Sequence, residues 1–413
     1  METEMMMSDI LSNNTERGTF IEVAHAQICK YNQGAEGDRF LSQKNQSDGR
    51  VITVLSDGLG SGIKAGVLAT LTATMAMKFV SNDIPIRRAA KIIMDTLPVC
   101  SERGISYATF TLVDIEPNAS VRIMEYDNPP YVLIRKNTLI DPIKQSSVIE
   151  REHKETAPAL EAILYYSEYK AQPGDRIIFY SDGVTQSGMG THSMPLGWGA
   201  EDSQSFILQQ VMDNPNISAR ELARRVVNEA EKHDGYKAKD DITCAVIYFR
   251  TPRDILVLTG PPLTPERDAE YAALFNNFDG KKIISGGTTA NIISRQLGRK
   301  ISVNLRNIDP VVPPVSQMEG ADLVTEGIIT LGKVAEILDS EETGPKEKQN
   351  AATRIVDLLL DSDRVTFAVG TKINEAHQDP NMPVELEIRR NVVKRIASLL
   401  EQKYLKEVSI KFF

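Results

Sequence analysis

The sequence predicts an α+β unit followed by an α/β unit with a mostly parallel sheet. Three observations carry this expectation. At 413 residues the chain is too long for one ordinary core, since domains usually hold roughly 100–200 residues. Up to about residue 250, strand-like and helix-like segments arrive in blocks: β, then αα, then many β, then αα, then β. That order suits packed layers with mostly antiparallel pairing. After Arg250-Thr251-Pro252-Arg253 the rhythm changes to short apolar strands alternating with helical segments, the order of a parallel sheet covered on its faces. The expected division is a flexible polar arm over 1–18, a first domain over 19–250 and a second over 254–413.

The elements follow in order. Thr19 to Ile28 alternates polar and apolar residues, and Arg50 to Ser56 is a β-branched run ending in Asp57-Gly58; both read as strands. Ser61 to Val80 carries only Lys64 and Lys78 as charges, so it reads as a helix buried on most sides. Ile86, Ala89, Ala90, Ile93 and Leu97 form a one-sided stripe on the next helix. Ser106–Ile115 and Ser120–Tyr126 flank Glu116-Pro117-Asn118-Ala119, a hairpin turn. Strands over Tyr131–Arg135, Ala162–Tyr166 and Arg176–Tyr180 follow, then helices over about 203–213 and 217–232, and a last strand over Asp241–Phe249. In the second domain the strands are Ile255–Thr259, Lys282–Ser285, Ala321–Thr325 and Val365–Val369.

Composition excludes several classes of function. A net charge of −9 disfavours a broad nucleic-acid or anionic-membrane surface. No run approaches the roughly 18 uninterrupted apolar residues of a membrane span, and the acidic start lacks the apolar core of a signal peptide. Cys29, Cys100 and Cys244 are far apart and in no metal-binding spacing, which suits a reducing cytoplasm. The five histidines are scattered, which argues against a histidine-based metal site.

Chemistry therefore rests on the acids. Ser56-Asp57-Gly58-Leu59-Gly60, Tyr180-Ser181-Asp182-Gly183 and Lys239-Asp240-Asp241-Ile242 each stand at a strand end, and Gly37-Asp38 lies upstream in an expected turn. Any single Asp-Gly is an ordinary turn dipeptide. Gathered carboxylates, however, repel and resist ionisation unless cations neutralise them. Hard oxygen donors without His or Cys suit Mg²⁺ or Mn²⁺, and two such ions about 4 Å apart can activate a water between them.

In order along the chain, Gly37-Asp38, Asp57-Gly58-Leu59-Gly60-Ser61-Gly62, Ala108-Thr109-Phe110-Thr111-Leu112, Pro173-Gly174-Asp175 with Ser181-Asp182-Gly183-Val184-Thr185, and Asp240-Asp241-Ile242-Thr243 resemble the metal-dependent protein phosphatase superfamily (PPM, or protein phosphatase 2C). The resemblance is to its bacterial branch, typified by the stage II sporulation protein E phosphatases, and it covers about residues 20–250. It implies an α-β-β-α sandwich with two divalent ions, Mn²⁺ or Mg²⁺, at one end. Asp57 would bridge both ions and the Gly58 carbonyl would help to hold one. Asp38 would serve that same ion, Asp182 and Asp240 the other, with Asp241 either a ligand or a support behind one. The implied reaction is hydrolysis of phosphoserine or phosphothreonine on a regulatory protein, such as an anti-sigma-factor antagonist, by a metal-activated water.

Two departures stand out. Leu59 occupies a position where eukaryotic relatives carry His, and Tyr126-Asp127-Asn128-Pro129-Pro130 replaces an Ala-Gly-His-Pro-like turn. Asn128 reads as structural. The segment Gly188–Met194 reads as a mobile loop able to contact substrate, with His192 solvated.

No family is recognised in the second domain. Its strand ends, Thr259-Gly260-Pro261-Pro262, Ser285-Gly286-Gly287-Thr288-Thr289, Thr325-Glu326-Gly327 and Val369-Gly370-Thr371-Lys372, should share one sheet edge, where ligands bind in open parallel sheets. Gly286, Gly287, Thr288, Thr289 and Glu326 are its candidate residues for a small anionic ligand, although neither a dinucleotide fingerprint nor a P-loop is present. A dimerisation or docking module is the competing reading. Taken together, the sequence supports a cytoplasmic protein phosphatase with a regulatory domain; the alternative is a weakly catalytic, phosphatase-like scaffold acting as a ligand-binding signalling protein.

Overall fold

In a computed structural model, residues 19–45, 47–60, 62–96, 108–150, 161–303, 316–340, 350–372 and 382–413 are described. They divide into two compact units that part between Thr251 and Pro252. The arm over 1–18, Leu97 and the polar stretch 341–349 lie outside the described residues.

The first unit is built on two antiparallel sheets. One has the order β1 (Phe20–Ile28), β11 (Ile242–Arg250), β10 (Arg176–Tyr180), β6 (Val132–Arg135), β7 (Thr138–Ile140). The other runs β2 (Asp38–Lys44), β3 (Val51–Gly58), β4 (Ala108–Ile115), β5 (Ser120–Tyr126), β9 (Glu161–Lys170), β8 (Gln145–Glu150). The sheets face one another through aromatic rings: Phe40 of β2 lies 4.5 Å from His25 of β1 and 6.3 Å from Phe179 of β10. Outside the second sheet lie α1 (Ile63–Ser81) and α2 (Ile86–Thr96), whose Ala73, Ala76, Met77, Ala89, Ala90 and Ile93 pack on Val54, Phe110 and Leu112. On the first sheet, α3 (Asp182–Gln186), α4 (Ala200–Asp213) and α5 (Ala219–His233) cover Ile178, Tyr180, Cys244 and Val246. The chain thus forms helix, sheet, sheet and helix layers, each apolar face buried against the next.

Three sequence expectations change here. Asp38 begins strand β2 rather than occupying a turn. α1 is not buried on most sides: Ile63, Val67 and Leu71, four residues apart, are 76%, 60% and 46% exposed. Its small residues Ala65, Ala69, Thr72, Ala73 and Ala76 take the buried side, so close backbone packing rather than bulk sets its contact face. Among the described residues α1 is also the one helix long and apolar enough to cross a membrane, yet that Ala-rich face is part of the core. Finally, β2, β7 and β8 add strands that propensity alone did not reveal.

The second unit has a seven-stranded sheet ordered β14 (Ile301–Val303), β15 (Ser316–Met318), β16 (Leu323–Thr325), β13 (Lys281–Ser285), β12 (Asp254–Thr259), β17 (Arg364–Val369), β18 (Glu407–Phe412). β16, β13, β12, β17 and β18 pair in parallel, and β14–β15–β16 pair antiparallel. On one face α6 (Asp268–Asn277) and α7 (Gly287–Leu297) pack against Leu256, Leu258 and Ile284. On the other, α8 (Ile328–Asp339), α9 (Ala351–Leu360) and α10 (Met382–Gln402) cover Ile255, Val257 and Phe367.

Candidate active site

Strand pairing assembles the acids of the first unit. Asp38 and Asp57 lie directly opposite each other across β2 and β3, and Thr109 of β4 flanks Asp57 on its other side. Asp182 starts α3 at the end of β10, while Asp240 and Asp241 lead into the adjacent β11. The two Asp-Gly glycines serve close approach rather than an unusual backbone angle, because neither has a positive φ. A Cβ on Gly58 would lie 2.1 Å from the Ala65 carbonyl oxygen of α1, and one on Gly183 2.1 Å from the Asp241 carbonyl oxygen. Real carbon–oxygen contacts do not come so near, so any side chain there would push the acidic segments apart.

Each carboxyl has a defined partner. Asp38 is buried, and its Oδ2 accepts a 2.7 Å hydrogen bond from Thr243 Oγ1. Burial nevertheless pushes its pKa up to about 8, with Asp241 and Asp182 adding repulsion. Burial, Asp38 and Asp182 raise Asp57 well above the ordinary carboxylate range, and its carboxyl hydrogen-bonds to Asp182. Asp182 is raised by burial and by Asp240; its hydrogen bonds with Asp57 and Gln186 oppose the rise. The Gln186 Nε2 donates at 2.7 Å. Asp240 is half-buried and lies 3.6 Å from Lys30 Nζ. Asp241 turns to the backbone: its Oδ1 accepts from the Lys30 N–H at 3.1 Å, and it also bonds the Gly37 N–H. It thereby ties the loop that delivers Asp38.

The acids are therefore within electrostatic reach of one another: Asp57 and Asp182 bond each other, while Asp38, Asp240 and Asp241 turn to Thr243, Lys30 and backbone N–H groups. Among the described residues, no three His, Cys, Asp or Glu side chains form a group placed to hold a metal ion.

Some contributors escaped the sequence reading. Thr243 and Ser181, both hydrogen-bonded to Asp38, sat unremarked inside the motifs that carried the acids. Asp127 raises Asp182 by charge repulsion and has a left-handed φ of 54°, a conformation that Asp tolerates better than most residues. Lys30 had no sequence signal. Asn128 bonds Thr109 and, through Nδ2 at 3.1 Å, Thr111 Oγ1, a bracing role between the turn and β4. The loop expected to be mobile is pinned instead: Gly188 N donates to Asp234 Oδ1 at 2.8 Å and Lys239 Nζ to the Met189 carbonyl at 2.6 Å. His192 is exposed.

In the second unit Gly286 caps α7, with Gly287 and Thr288 exposed and Thr289 buried. Glu326 stands at the end of β16, the parallel neighbour of β13.

Residues 47–250 match the family model described as Stage II sporulation protein E, SpoIIE. That stretch, just under half of the chain, is similar to SpoIIE domains; Asp38 precedes it. Among solved structures, the PP2C phosphatase domain with a fragment of the regulatory domain of SpoIIE from Bacillus subtilis is similar at 16% identity and a TM-score of 0.44. That match covers 57% of this chain and 65% of that one, so this chain spans just under two thirds of it. The RsbU and RsbW domains of a Mycobacterium tuberculosis protein are similar at 17% identity and a TM-score of 0.42, over 62% of this chain and 67% of theirs. RsbX in complex with magnesium is similar at 14% identity and a TM-score of 0.37, over 55% of this chain and 95% of that one. No curated protein matches the chain.

Proposed function

We infer that the chain is a metal-dependent phosphatase that hydrolyses phosphoserine or phosphothreonine on a regulatory protein, an anti-sigma-factor antagonist being the substrate type that the resemblance suggests. The observation that carries this is the meeting of Asp38, Asp57, Asp182 and Asp240 from four strand ends, with the first three raised above the ordinary carboxylate range by burial and by neighbouring carboxyls. The donor set fits Mn²⁺ or Mg²⁺: all oxygen, carboxylates crowded enough to raise one another, and relieved of that repulsion when cations bind. Asp57 with the Gly58 carbonyl, Asp38, Asp182 and Asp240 would hold two such ions, and Asp241 would support them by fixing the Lys30–Asp38 loop. When bound, the ions would supply the positive charge that polarises the phosphoryl oxygens and acidifies water.

The chain's own residues hold this arrangement in place. Thr243 and Ser181 orient Asp38, Gln186 orients Asp182, and Gly58 and Gly183 permit the close approach of the segments. Such supports behind a ligand typically change metal affinity 10–100-fold. Phosphate release from a phosphoserine peptide, and from p-nitrophenyl phosphate, measured with Mn²⁺ for the wild type and Asp57→Asn, tests the reading. Equal rates for the two proteins would overturn it. That no three of these acids among the described residues form a group placed to hold a metal ion favours, as a second reading, a weakly catalytic scaffold, and absence of turnover with metal supplied would support that instead.

The second unit would sense a small anionic ligand through Gly286, Gly287, Thr288, Thr289 and Glu326 and bias the phosphatase. A reducing, cytoplasmic setting agrees with Cys29 and Cys244 being free thiols. Self-association through this unit is the competing role.

A further inference from the structure

Two helices of the second unit begin at one point from opposite faces of the sheet. β13 leads into α7, whose Ala290 and Ile293 pack with Leu256 and Leu258 of β12. β16 leads into α8, whose Leu331 and Val334 pack with Ile255 and Val257 of the same strand. Successive residues of a strand face opposite ways, so the chain leaves these adjacent strand ends in opposite directions and opens a crevice between them. The walls are close: a Cβ on Gly327 would lie 3.7 Å from Gly286 Cα. Ser285 Oγ donates to the Glu326 carbonyl at 3.0 Å and Gly286 N to the Thr325 carbonyl at 2.8 Å, which fixes the mouth.

Both helix starts are electropositive and open. Gly286 and Gly327 are the capping residues, neither start has a side-chain cap, and neither first turn holds an acid. The first N–H groups of each helix have no acceptor within the helix, and the positive ends of two dipoles meet there. A second observation is independent of this. The third residue of each helix is a threonine, Thr289 and Thr330; both are 0% exposed, and neither hydroxyl has a partner among the described residues. Thr289 Oγ1 lies 3.3 Å from where a Gly286 Cβ would project, so it faces the capping position. Gly286 itself has φ 131°, a region that only glycine enters readily.

Glu326 supplies the selectivity. It is exposed, and its carboxyl oxygens lie 3.8 and 3.9 Å from where a Gly287 Cβ would stand. A carboxylate only accepts hydrogen bonds, so beside an anion site it can recognise hydroxyl groups on the same ligand. We propose that the β13–β16 crevice binds a small phosphate monoester carrying hydroxyls, a sugar phosphate or the ribose phosphate of a nucleotide. The phosphate sits between the starts of α7 and α8 on the Thr289 and Thr330 hydroxyls, and Glu326 accepts from the sugar. This rests on the sensing role given above and adds its site and ligand class.

The test uses the full chain at low ionic strength, with ribose 5-phosphate, inorganic phosphate and ribose as probes in titration calorimetry. Ribose 5-phosphate should bind, inorganic phosphate more weakly, and ribose not measurably. Gly287→Asp fits sterically, since nothing but the Glu326 oxygens lies within 4 Å, and an acid in a first helical turn favours the helix. It should weaken both phosphates about tenfold or more by repulsion; because its carboxylate would also stand beside that of Glu326, the neutral Gly287→Asn is measured with it and should keep phosphate binding, which separates charge from damage to the fold. Glu326→Gln should bring ribose 5-phosphate down to the affinity of inorganic phosphate. No binding of either phosphate at millimolar concentration, or wild-type binding by Gly287→Asp, overturns the site. Binding that Gly287→Asp abolishes but that leaves the phosphatase rate unchanged keeps the site and removes the sensing role.

Discussion

Gly183→Ala is the most direct probe of how the acids are brought together. The added carbon would sit 2.1 Å from the Asp241 carbonyl oxygen and 3.0 Å from its carbonyl carbon. Carbon–oxygen packing tolerates nothing much below 3 Å, so the Asp182 turn and the Asp240–Asp241 segment must separate by about 0.9 Å. Forced overpacking of this kind costs about 1–3 kcal/mol, against which the better helix propensity of Ala returns under about 1 kcal/mol. The net expectation is a loss of about 1–2 kcal/mol, read as a lower urea midpoint with an unchanged slope. Function should suffer more than stability. Metal–ligand distances are held to about ±0.2 Å, so a shift several times larger should weaken Mn²⁺ binding by tenfold or more in calorimetry, with phosphatase rate falling in parallel. A Gly183→Ala protein with the wild-type midpoint and wild-type Mn²⁺ affinity would refute the claim that this close approach builds the site.

Other perturbations address separate terms. Asp57→Asn should lower phosphate release by about 100-fold or more yet stabilise the metal-free protein at pH 8, because it removes a carboxyl held against ionisation; a lower metal-free melting temperature would contradict this. The pH dependence of the metal-free protein follows from Asp38, Asp57 and Asp182, all raised by burial. Their contribution is complete below the ordinary carboxylate pKa of about 4 and is lost as pH rises through the folded values, about 8 for Asp38. Melting temperature should therefore fall from pH 5 to about 8, with Mn²⁺ reversing the fall and releasing protons on binding. Thr243→Val should weaken Mn²⁺ about tenfold by removing the bond to Asp38, measurable in the same calorimetry. Gly332→Ala, in α8 with nothing within 4 Å of the new carbon, should stabilise the chain by about 0.5–1 kcal/mol in urea unfolding.

The layered order of the first unit was legible because its strands and helices come in blocks, and amphipathic stripes such as Ile86, Ala89, Ala90 and Ile93 point unambiguously to one buried side. β2 was not legible. Asp38-Arg39-Phe40-Leu41-Ser42-Gln43-Lys44 is half polar, and it becomes a strand through its pairing with β3, a long-range term that local propensity does not contain. α1 misled for the opposite reason. A nearly uncharged helix reads as wholly buried, but its alanines select a single face for close packing and leave Ile63, Val67 and Leu71 outside.

The acids were legible as types at strand ends, while their orientation was not. Asp241 shows why: next to Asp240 in sequence it looks like an equivalent donor, yet in the segment just before β11 the two side chains go to different partners. One faces Lys30 Nζ; the other holds the Lys30 and Gly37 N–H groups and so carries the loop before Asp38. A carboxylate that accepts two backbone N–H bonds has few lone pairs left for a cation. The same geometry makes the loop's position depend on the segment that bears Asp240. The candidate ligands from β2 and β11 are thus mechanically joined through Asp241, and those from β10 and β11 through the Gly183–Asp241 contact. Displacing any one segment should loosen the whole set, so single substitutions in these supports should have effects on metal affinity that fail to add.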